Sequence, residues 1–144
     1  MSEGTFKQIG KSDKTLYGPR AALVCGFTAT EQKVLMEFMT GIELSDLAVV
    51  FATETDGDAL LKDLVTRPDQ SGRDSDSGLV RAIILSGITE TELHRTLSSY
   101  RKNDLPSPLW ATLTPYSENW SLSALLEELQ KEHREMQKKK NNPN

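Results

Sequence analysis

The chain contains very little cysteine and histidine. Its 144 residues include one cysteine, Cys25, and two histidines, His94 and His133. A single cysteine cannot form an intramolecular disulfide, and structural zinc sites usually need four cysteine or histidine ligands. We therefore predict no disulfide and no metal site.

Long apolar runs and phosphate-binding motifs are also missing. The longest apolar stretches, around residues 21–26 and 82–85, are as long as a strand, whereas a membrane span needs about 20 residues. The segments GFTATE and GITETE lack the glycine spacing of nucleotide-binding loops, so we predict no cofactor. The first 15 residues have no apolar core, so we expect no secretory signal.

The net charge of -4 is unevenly distributed. Residues 131–144 carry five basic and two acidic residues, a net charge of +3, which leaves -7 for residues 1–130. An acidic body repels phosphate backbones, so we predict no nucleic-acid partner. The basic residues Lys138 to Lys140 complement the dipole at the end of a helix. The alternative is peripheral binding to anionic membrane headgroups or to an acidic protein.

An internal repeat organises the chain. The segment RAALVCGFTATE at residues 20–31 aligns without gaps with RAIILSGITETE at residues 81–92, and six of the twelve positions are identical. Each copy has an apolar run typical of a buried strand, then a glycine, then a threonine-rich helix start. The sequence therefore predicts two related units, 61 residues apart.

Each glycine is expected to lead into a helix. Thr28 or Thr30 in the first copy, and Thr89 or Thr91 in the second, can cap the first turn. Thr28 with Glu31, and Thr89 with Glu92, have the spacing of a capping box. Apolar residues then recur with helical periodicity. The residues predicted to be buried are Val34, Leu35, Phe38 and Met39 in the first copy, and Leu93, Leu97 and Tyr100 in the second.

Each copy continues with a second strand and helix, at residues 47–52 and 59–65 in the first copy and at residues 109–113 and from 122 onward in the second. We match the helix leucines across a connection that is four residues longer in the second copy: Leu60, Leu61 and Leu64 with Leu125, Leu126 and Leu129. This order predicts an α/β fold: a duplicated β-α-β-α unit forms a four-stranded, largely parallel or mixed sheet packed with helices.

The domain organisation follows from the repeats. Residues 19–136 are predicted to form a single α/β domain, with pseudo-repeats at about 20–65 and 81–130. The other segments are polar and are predicted to be mobile: an N-terminal arm at 1–18, a loop at 66–78 and a basic disordered tail at 137–144.

Cys25 is the one candidate nucleophile, because it lies at the predicted end of a strand and either histidine could activate it. The alternative is a buried core residue, which the equivalent Ser86 favours. A second hypothesis is a small-molecule enzyme or sensor in which Cys25, Ser86, Thr53 and Thr114 surround a shared crevice at the strand ends. The sequence shows no complete catalytic constellation, so we predict no catalytic residues.

Three aromatic residues, Trp110, Tyr116 and Trp120, are concentrated in the proline-stiffened segment 105–122. Rigid aromatic loops are typical of interaction surfaces, since these rings give large contact areas at small entropic cost. The alternative is that the tryptophans seal the core beneath the last helix.

The last helix has an apolar stripe that extends beyond the expected body. Its first four members, Leu122, Leu125, Leu126 and Leu129, are predicted to face the sheet. His133 and Met136 continue the stripe, where a partner could dock. The candidate partner-binding residues are therefore Trp110, Tyr116, Trp120, His133 and Met136.

Several motifs resemble a known family. The repeat, Tyr100-Arg101 and the segment LWATLTPYSENWSLSALLEELQKEHREM are similar to the family catalogued as domain of unknown function 3783, over about residues 20–136. The family has no established activity, so the resemblance implies no catalytic residues. The chain departs from the family at Tyr116, where a small polar residue is expected.

Within that family, the segments YGPR, VVFATE and PLWATLTP resemble the plant and algal branch. That branch is similar to plastid stromal factors associated with photosystem I accumulation. The resemblance implies a non-enzymatic auxiliary factor with protein partners, in the plastid stroma or at the thylakoid surface, from which a transit peptide has been removed. Outside that branch, the expected location is cytoplasmic.

Overall fold

Residues 13–141 are described by a computed structural model of the chain. The elements alternate along the chain in two similar halves. The first half contains β1 (Ala21–Cys25), α1 (Ala29–Gly41), β2 (Ala48–Ala52) and the short helix α2 (Leu61–Leu64). The second half contains β3 (Ala82–Ser86), α3 (Glu90–Tyr100), β4 (Leu109–Thr112) and the long helix α4 (Leu122–Asn141).

The four strands form one mixed sheet in the order β2-β1-β3-β4. Strand β1 is parallel to β2, and β3 is parallel to β4, while the two central strands β1 and β3 are antiparallel. The sheet is packed with helices, and the predicted α/β fold is confirmed, with the mixed rather than the largely parallel sheet.

The two halves are related by an approximate twofold axis through the centre of the sheet. In the antiparallel pair, Leu23 lies opposite Ile84, which is the residue 61 positions further along the chain. The parallel pairs repeat the same spacing, since Ala21 aligns with Ala48 and Ala82 aligns with Leu109. The repeat seen in the sequence therefore corresponds to a duplicated structural unit.

A second contact lies on the same axis. Leu60 and Ser121, again 61 residues apart, form an isolated antiparallel bridge. The Leu61 amide donates to the Trp120 carbonyl at 3.0 Å, and the Leu122 amide donates to the Ala59 carbonyl at 2.9 Å. The predicted four-residue shift is therefore wrong, because the backbone pairing keeps the offset of 61 into the second helix of each half.

The strands are apolar at successive positions, so both faces of the sheet need cover, and helices pack on each face. One core lies between the sheet and the helices α1 and α3, and includes Val24, Phe27, Leu35, Phe38, Phe51, Ile83, Leu85 and Tyr100. The other lies beneath α2 and α4, and includes Leu23, Cys25, Val50, Leu61, Leu64, Ile84, Leu122, Leu125 and Leu126.

Both predicted capping boxes are present. Thr28 Oγ1 accepts a hydrogen bond from the Glu31 amide at 3.1 Å, and the Glu31 carboxylate accepts one from the Thr28 amide at 2.9 Å. Thr89 and Glu92 repeat both bonds at the start of α3. Each box satisfies amides of the first helical turn that lack a partner within the helix.

The predicted buried faces of the helices need correction. Val34 is exposed on α1, while Leu93 and Leu97 are only partly buried on α3. Thr96 is buried on α3 instead, and its hydroxyl donates to the Glu92 carbonyl at 2.7 Å. A hydroxyl bonded to the preceding turn can be buried at low cost, and apolar periodicity cannot reveal this.

The predicted mobile loop at residues 66–78 is held by hydrogen bonds to the first half. The Gln32 side chain on α1 is buried, accepts from the Asp74 amide at 2.8 Å and donates to the Ser75 carbonyl at 2.9 Å. Asp76 accepts from the Ala29 amide at 2.8 Å. The loop is polar, as expected. Its polar side chains form hydrogen bonds with the backbone of the first half instead of pointing freely into solvent.

Both predicted chain ends also need correction. Residues 1–12 of the predicted arm lie outside the described residues, but residues 13–18 pack against the second half. The Leu16 amide donates to the Ile88 carbonyl at 2.8 Å, and the Gly87 amide donates to the Tyr17 carbonyl at 3.0 Å. At the other end, α4 continues to Asn141, so residues 137–141 are helical, and residues 142–144 lie outside the description.

Helix α4 spans about 30 Å at 1.5 Å per residue. Its residues 131–140 are all exposed and include the three consecutive lysines Lys138 to Lys140. Across residues 13–141, no helix combines the length and the apolar character that crossing a membrane requires.

Candidate protein-interaction surface

The four residues predicted to surround a strand-end crevice are not brought together. Because β1 and β3 are antiparallel, Cys25 lies opposite Ala82, and Ser86 lies opposite Ala21 at the other end of the sheet. Thr53 follows β2 and Thr114 follows β4, so these two threonines are also at opposite ends. The hypothesis of a shared crevice is therefore wrong, since it needs parallel central strands.

The side chains at these positions are packed or locally bonded. Cys25 and Ser86 are fully buried, and within residues 13–141 the Ser86 hydroxyl has no hydrogen-bond partner. The Thr53 amide donates to Asp56 at 2.8 Å, and the Thr114 amide donates to Ser117 at 3.1 Å, so both threonines shape turns. An apolar cavity between the sheet and α1 has a volume of only about 10 Å³, far below that of a ligand pocket.

Cys25 is poorly suited to act as a nucleophile. Burial raises the pKa of its thiol to about 12, and the nearby negative charge of Asp56 acts in the same direction. The thiolate is the reactive form of cysteine. Within the described part of the chain, no group of three histidine, cysteine, aspartate or glutamate side chains is placed to hold a metal ion.

We expect Cys25 to react with Ellman's reagent at pH 8 about a thousandfold more slowly than an exposed thiol, because so little thiolate forms. The time course should accelerate when denaturant unfolds the chain. The control is Ser98→Cys in a Cys25→Ala background, which places a thiol on the exposed surface of α3. Rapid labelling of Cys25 in the folded protein would contradict this assignment.

The turn between β4 and α4 presents aromatic side chains on a rigid backbone. Tyr116 is 86% exposed and Trp120 is 39% exposed. Between them, the Ser117 amide donates to Thr114 Oγ1 at 3.0 Å, and the Trp120 amide donates to the Ser117 carbonyl at 2.9 Å. The turn therefore holds two large aromatic rings at the surface, and its backbone needs no further ordering when a partner binds.

Tyr17 joins this surface, although the sequence placed it in a flexible arm. It is 44% exposed, and its hydroxyl donates to Glu118 Oε1 at 2.8 Å. Helix-strand periodicity gives no signal for such a contact, since Tyr17 and Glu118 are 101 positions apart. We name the set of Tyr17, Tyr116 and Trp120 the aromatic turn.

Trp110 is separate from the aromatic turn. Its ring packs edge to face against Tyr100, with centroids 5.2 Å apart, on the side of the sheet that α1 and α3 cover. The Tyr100 hydroxyl donates to the Pro106 carbonyl at 2.7 Å and so fixes the ring that Trp110 contacts. Trp110 is half-buried and lines an open groove of about 470 Å³ beside β4.

His133 and Met136 lie on the projecting part of α4. Met136 is 68% exposed, and His133 lines a second groove of about 280 Å³ with Leu109 on the other side of β4. Met136 is 14 residues along α4 from Leu122, or about 21 Å at 1.5 Å per residue. The five predicted partner-binding residues are therefore distributed over the aromatic turn, the β4 strand and the end of α4.

These features define a duplicated α/β domain whose second half carries the exposed side chains of Tyr116 and Trp120. Residues 81–136 match the model of a family described as "Domain of unknown function (DUF3783)". The match supports the family resemblance and covers β3 through most of α4, including all five predicted partner-binding residues. Searches of curated proteins and of solved structures found no match.

Proposed function

We propose that this protein is a non-enzymatic interaction module that helps to assemble or stabilise a larger protein complex. The observation that carries this proposal is the exposure of Tyr116, at 86%, on a turn that three hydrogen bonds hold in place. The ring of an exposed tyrosine is removed from water only when a partner covers it, and that burial stabilises the complex.

The aromatic turn has the properties of a binding hot spot. Tyrosine and tryptophan are the residues most enriched among side chains that dominate binding energy. Because the turn is ordered before binding, association costs little conformational entropy. The Trp120 carbonyl accepts from the amide of the buried Leu61 at 3.0 Å, so the backbone at the end of the turn is fixed to the core.

The finer proposal concerns the complex. The segments YGPR, VVFATE and PLWATLTP resemble plant and algal sequences that are similar to factors for photosystem I accumulation. We therefore propose that the protein acts in the plastid, at the stromal face of the thylakoid, and that its partners are subunits or other assembly factors of photosystem I.

The test is affinity purification of the tagged protein from a plastid extract, followed by mass spectrometry. We expect Tyr116→Ala combined with Trp120→Ala to reduce partner recovery about tenfold or more, since each hot-spot side chain is worth about 2 kcal/mol. The matched control is Val34→Ala, which removes an exposed apolar side chain from α1 in the first half.

Two outcomes contradict the proposal. If the double variant has native circular dichroism and retains every partner, the aromatic turn is not the binding surface. If the wild-type protein recovers no photosystem I subunit or assembly factor from the extract, the proposed complex is wrong. Loss of partners in the double variant but not in Val34→Ala supports the assignment.

A further inference from the structure

The two outer strands of the sheet are structural equivalents, but they are covered differently. Along β2, the Val49 amide donates to Asp69 Oδ1 at 2.8 Å, and the Val49 carbonyl accepts from the Gln70 amide at 2.6 Å. The Phe51 amide donates to the Ser71 carbonyl at 2.8 Å. The segment 69–71 thus runs along β2 in the same direction and forms hydrogen bonds with the outward amides and carbonyl of that strand.

The outer edge of β4 has no such cover within residues 13–141. The Leu109 amide donates to the Arg81 carbonyl at 3.0 Å, and the Leu113 amide donates to the Leu85 carbonyl at 2.9 Å, so these residues face β3. In a parallel pair, every second residue directs its amide and carbonyl toward the neighbouring strand. The amides and carbonyls of Trp110 and Thr112 therefore point away from β3. All four β4 residues are partly exposed, whereas four of the five β2 residues are buried.

The difference arises in the chain beyond the second strand of each half. After α2 ends at Leu64, the chain turns back along β2, whereas α4 runs on for 20 residues, and within residues 13–141 no segment returns along the outer edge of β4. An uncovered strand presents unpaired amides and carbonyls that can pair with another chain. The cover on β2 shows that this fold accepts an extended polar segment at the equivalent edge.

Two grooves flank β4 and differ in character. On the α3 side, the partly exposed Leu97 and Trp110 supply apolar lining next to Arg101. On the α4 side, Leu109 lies beside His133 and Arg134. Among the residues that the structure describes, no acidic side chain lines either groove, although the chain as a whole is acidic. Within residues 13–141, neither Arg101 nor Arg134 forms a salt bridge.

We propose that the outer edge of β4 binds an extended acidic segment of a partner protein by strand addition. Side chains of an added strand alternate between the two faces, so apolar residues would enter the Trp110 groove while acidic residues would face His133 and Arg134. The charge of the grooves favours this occupant over a second copy of the chain, whose own β4 edge carries the same basic flanks. The inference rests on the proposed function, because it names the segment a partner supplies.

The probe is an eight-residue peptide in which glutamate and valine alternate, tested by fluorescence anisotropy. The controls are a peptide of the same composition with the glutamates and valines in separate blocks, and one in which lysine replaces glutamate. We expect only the alternating acidic peptide to bind. Hydrogen exchange followed by NMR should show protection of the Trp110 and Thr112 amides in the complex.

The decisive variant is Thr112→Pro. Proline removes the outward amide of Thr112, while the amides that hold β4 to β3 belong to other residues, so an edge strand tolerates it. We expect about tenfold weaker peptide binding, since one backbone hydrogen bond is lost and the ring obstructs pairing. Arg134→Glu should weaken binding similarly, whereas Lys131→Glu, on α4 but outside the residues that line the Leu109 groove, should have little effect.

The results test strand addition at β4 separately from partner binding at the aromatic turn. The peptide should bind Tyr116→Ala with Trp120→Ala as tightly as wild type, because the aromatic turn is a separate surface. Unchanged binding to folded Thr112→Pro, equal binding of the block peptide, or protection at other amides overturns strand addition and leaves the aromatic turn untouched. A wild-type dimer in sedimentation that Thr112→Pro dissociates would also overturn it, because a second copy would then occupy the edge.

Discussion

Gly87→Ala is expected to lower the free energy of unfolding by about 3 kcal/mol or more. Gly87 has φ +65°, a conformation that side chains disfavour, and a Cβ there would lie 2.5 Å from the Gly18 carbonyl oxygen and 2.6 Å from the Pro19 carbonyl carbon. The contact is with backbone, and the Gly87 amide also bonds to Tyr17 at 3.0 Å, so the two segments cannot separate cheaply.

Urea unfolding measures this effect, with Gly41→Ala as the control. Gly41 ends α1, and a Cβ there meets no atom within 4 Å, so alanine should stabilise the protein by up to about 1 kcal/mol. The equivalent Gly26, with φ +79°, should behave like Gly87, because its Cβ would lie 2.5 Å from the Leu79 carbonyl oxygen. Similar small effects at Gly87 and Gly41 would show that the close approach is not rigid.

Acid is expected to destabilise the protein between about pH 4.5 and pH 2 through Glu92. Arg20 donates to both carboxylate oxygens of Glu92, at 2.8 and 2.6 Å, and with the Thr89 amide this lowers the pKa of Glu92 to about 2 from 4.5. A carboxyl group with a lowered pKa in the folded state stabilises fully above its unfolded pKa and loses that effect as pH falls through its folded pKa.

The contribution of Glu92 at pH 7 is about 2 kcal/mol, after allowance for the partly exposed Arg20. Glu92→Gln should remove most of it and flatten the stability curve below pH 4.5. Glutamine still accepts from the Thr89 amide through its one oxygen, so the capping box remains while the ion pair with Arg20 and one of its two hydrogen bonds are removed. The control is Glu37→Gln on the exposed surface of α1, and equal pH curves for wild type and Glu92→Gln would refute the assignment.

This ion pair has an equivalent across the twofold axis, which sequence reasoning did not foresee. Arg81 donates to Glu31 at 2.6 Å, and both residues are 61 positions from their counterparts Arg20 and Glu92. The repeat revealed all four as identical between copies, but the glutamates were interpreted only as capping residues. Each also joins the two halves, because the antiparallel centre of the sheet brings the start of one strand beside the helix that follows the other.

Local features were predictable because neighbours in sequence determine them. The capping boxes depend on residues three apart, and the strands are short apolar runs, of which β1 and β3 end at a glycine, so their positions agree within about one residue. The sequence left two interpretations of Cys25, a nucleophile or a buried core residue. Its complete burial in the core favours the second. The exposure of Tyr116 could not be inferred from composition, since a tyrosine after proline suits either a core or a surface.

The crevice hypothesis was wrong, and the hydrogen bonds that hold residues 66–78 were not foreseen, for one physical reason. Both depend on which strands pair and in which direction, and backbone hydrogen bonds between distant segments determine that pairing. No periodicity in residues 66–78 shows that Asp69 reaches the amide of Val49. The hydrophobic pattern likewise cannot distinguish parallel from antiparallel central strands, because fully buried strands are apolar at every position.

The scarcity of cysteine and histidine, the repeat at an offset of 61, and the alternation of strands and helices were all determined by the sequence alone, since each follows from residue identity and short spacings. Tertiary structure decided the antiparallel centre, the cover on β2, the edge of β4 that stays open within residues 13–141, and the exposure of the aromatic turn. These are long-range outcomes: they depend on which backbone groups find partners after the two halves have packed together, and that competition involves the whole chain at once.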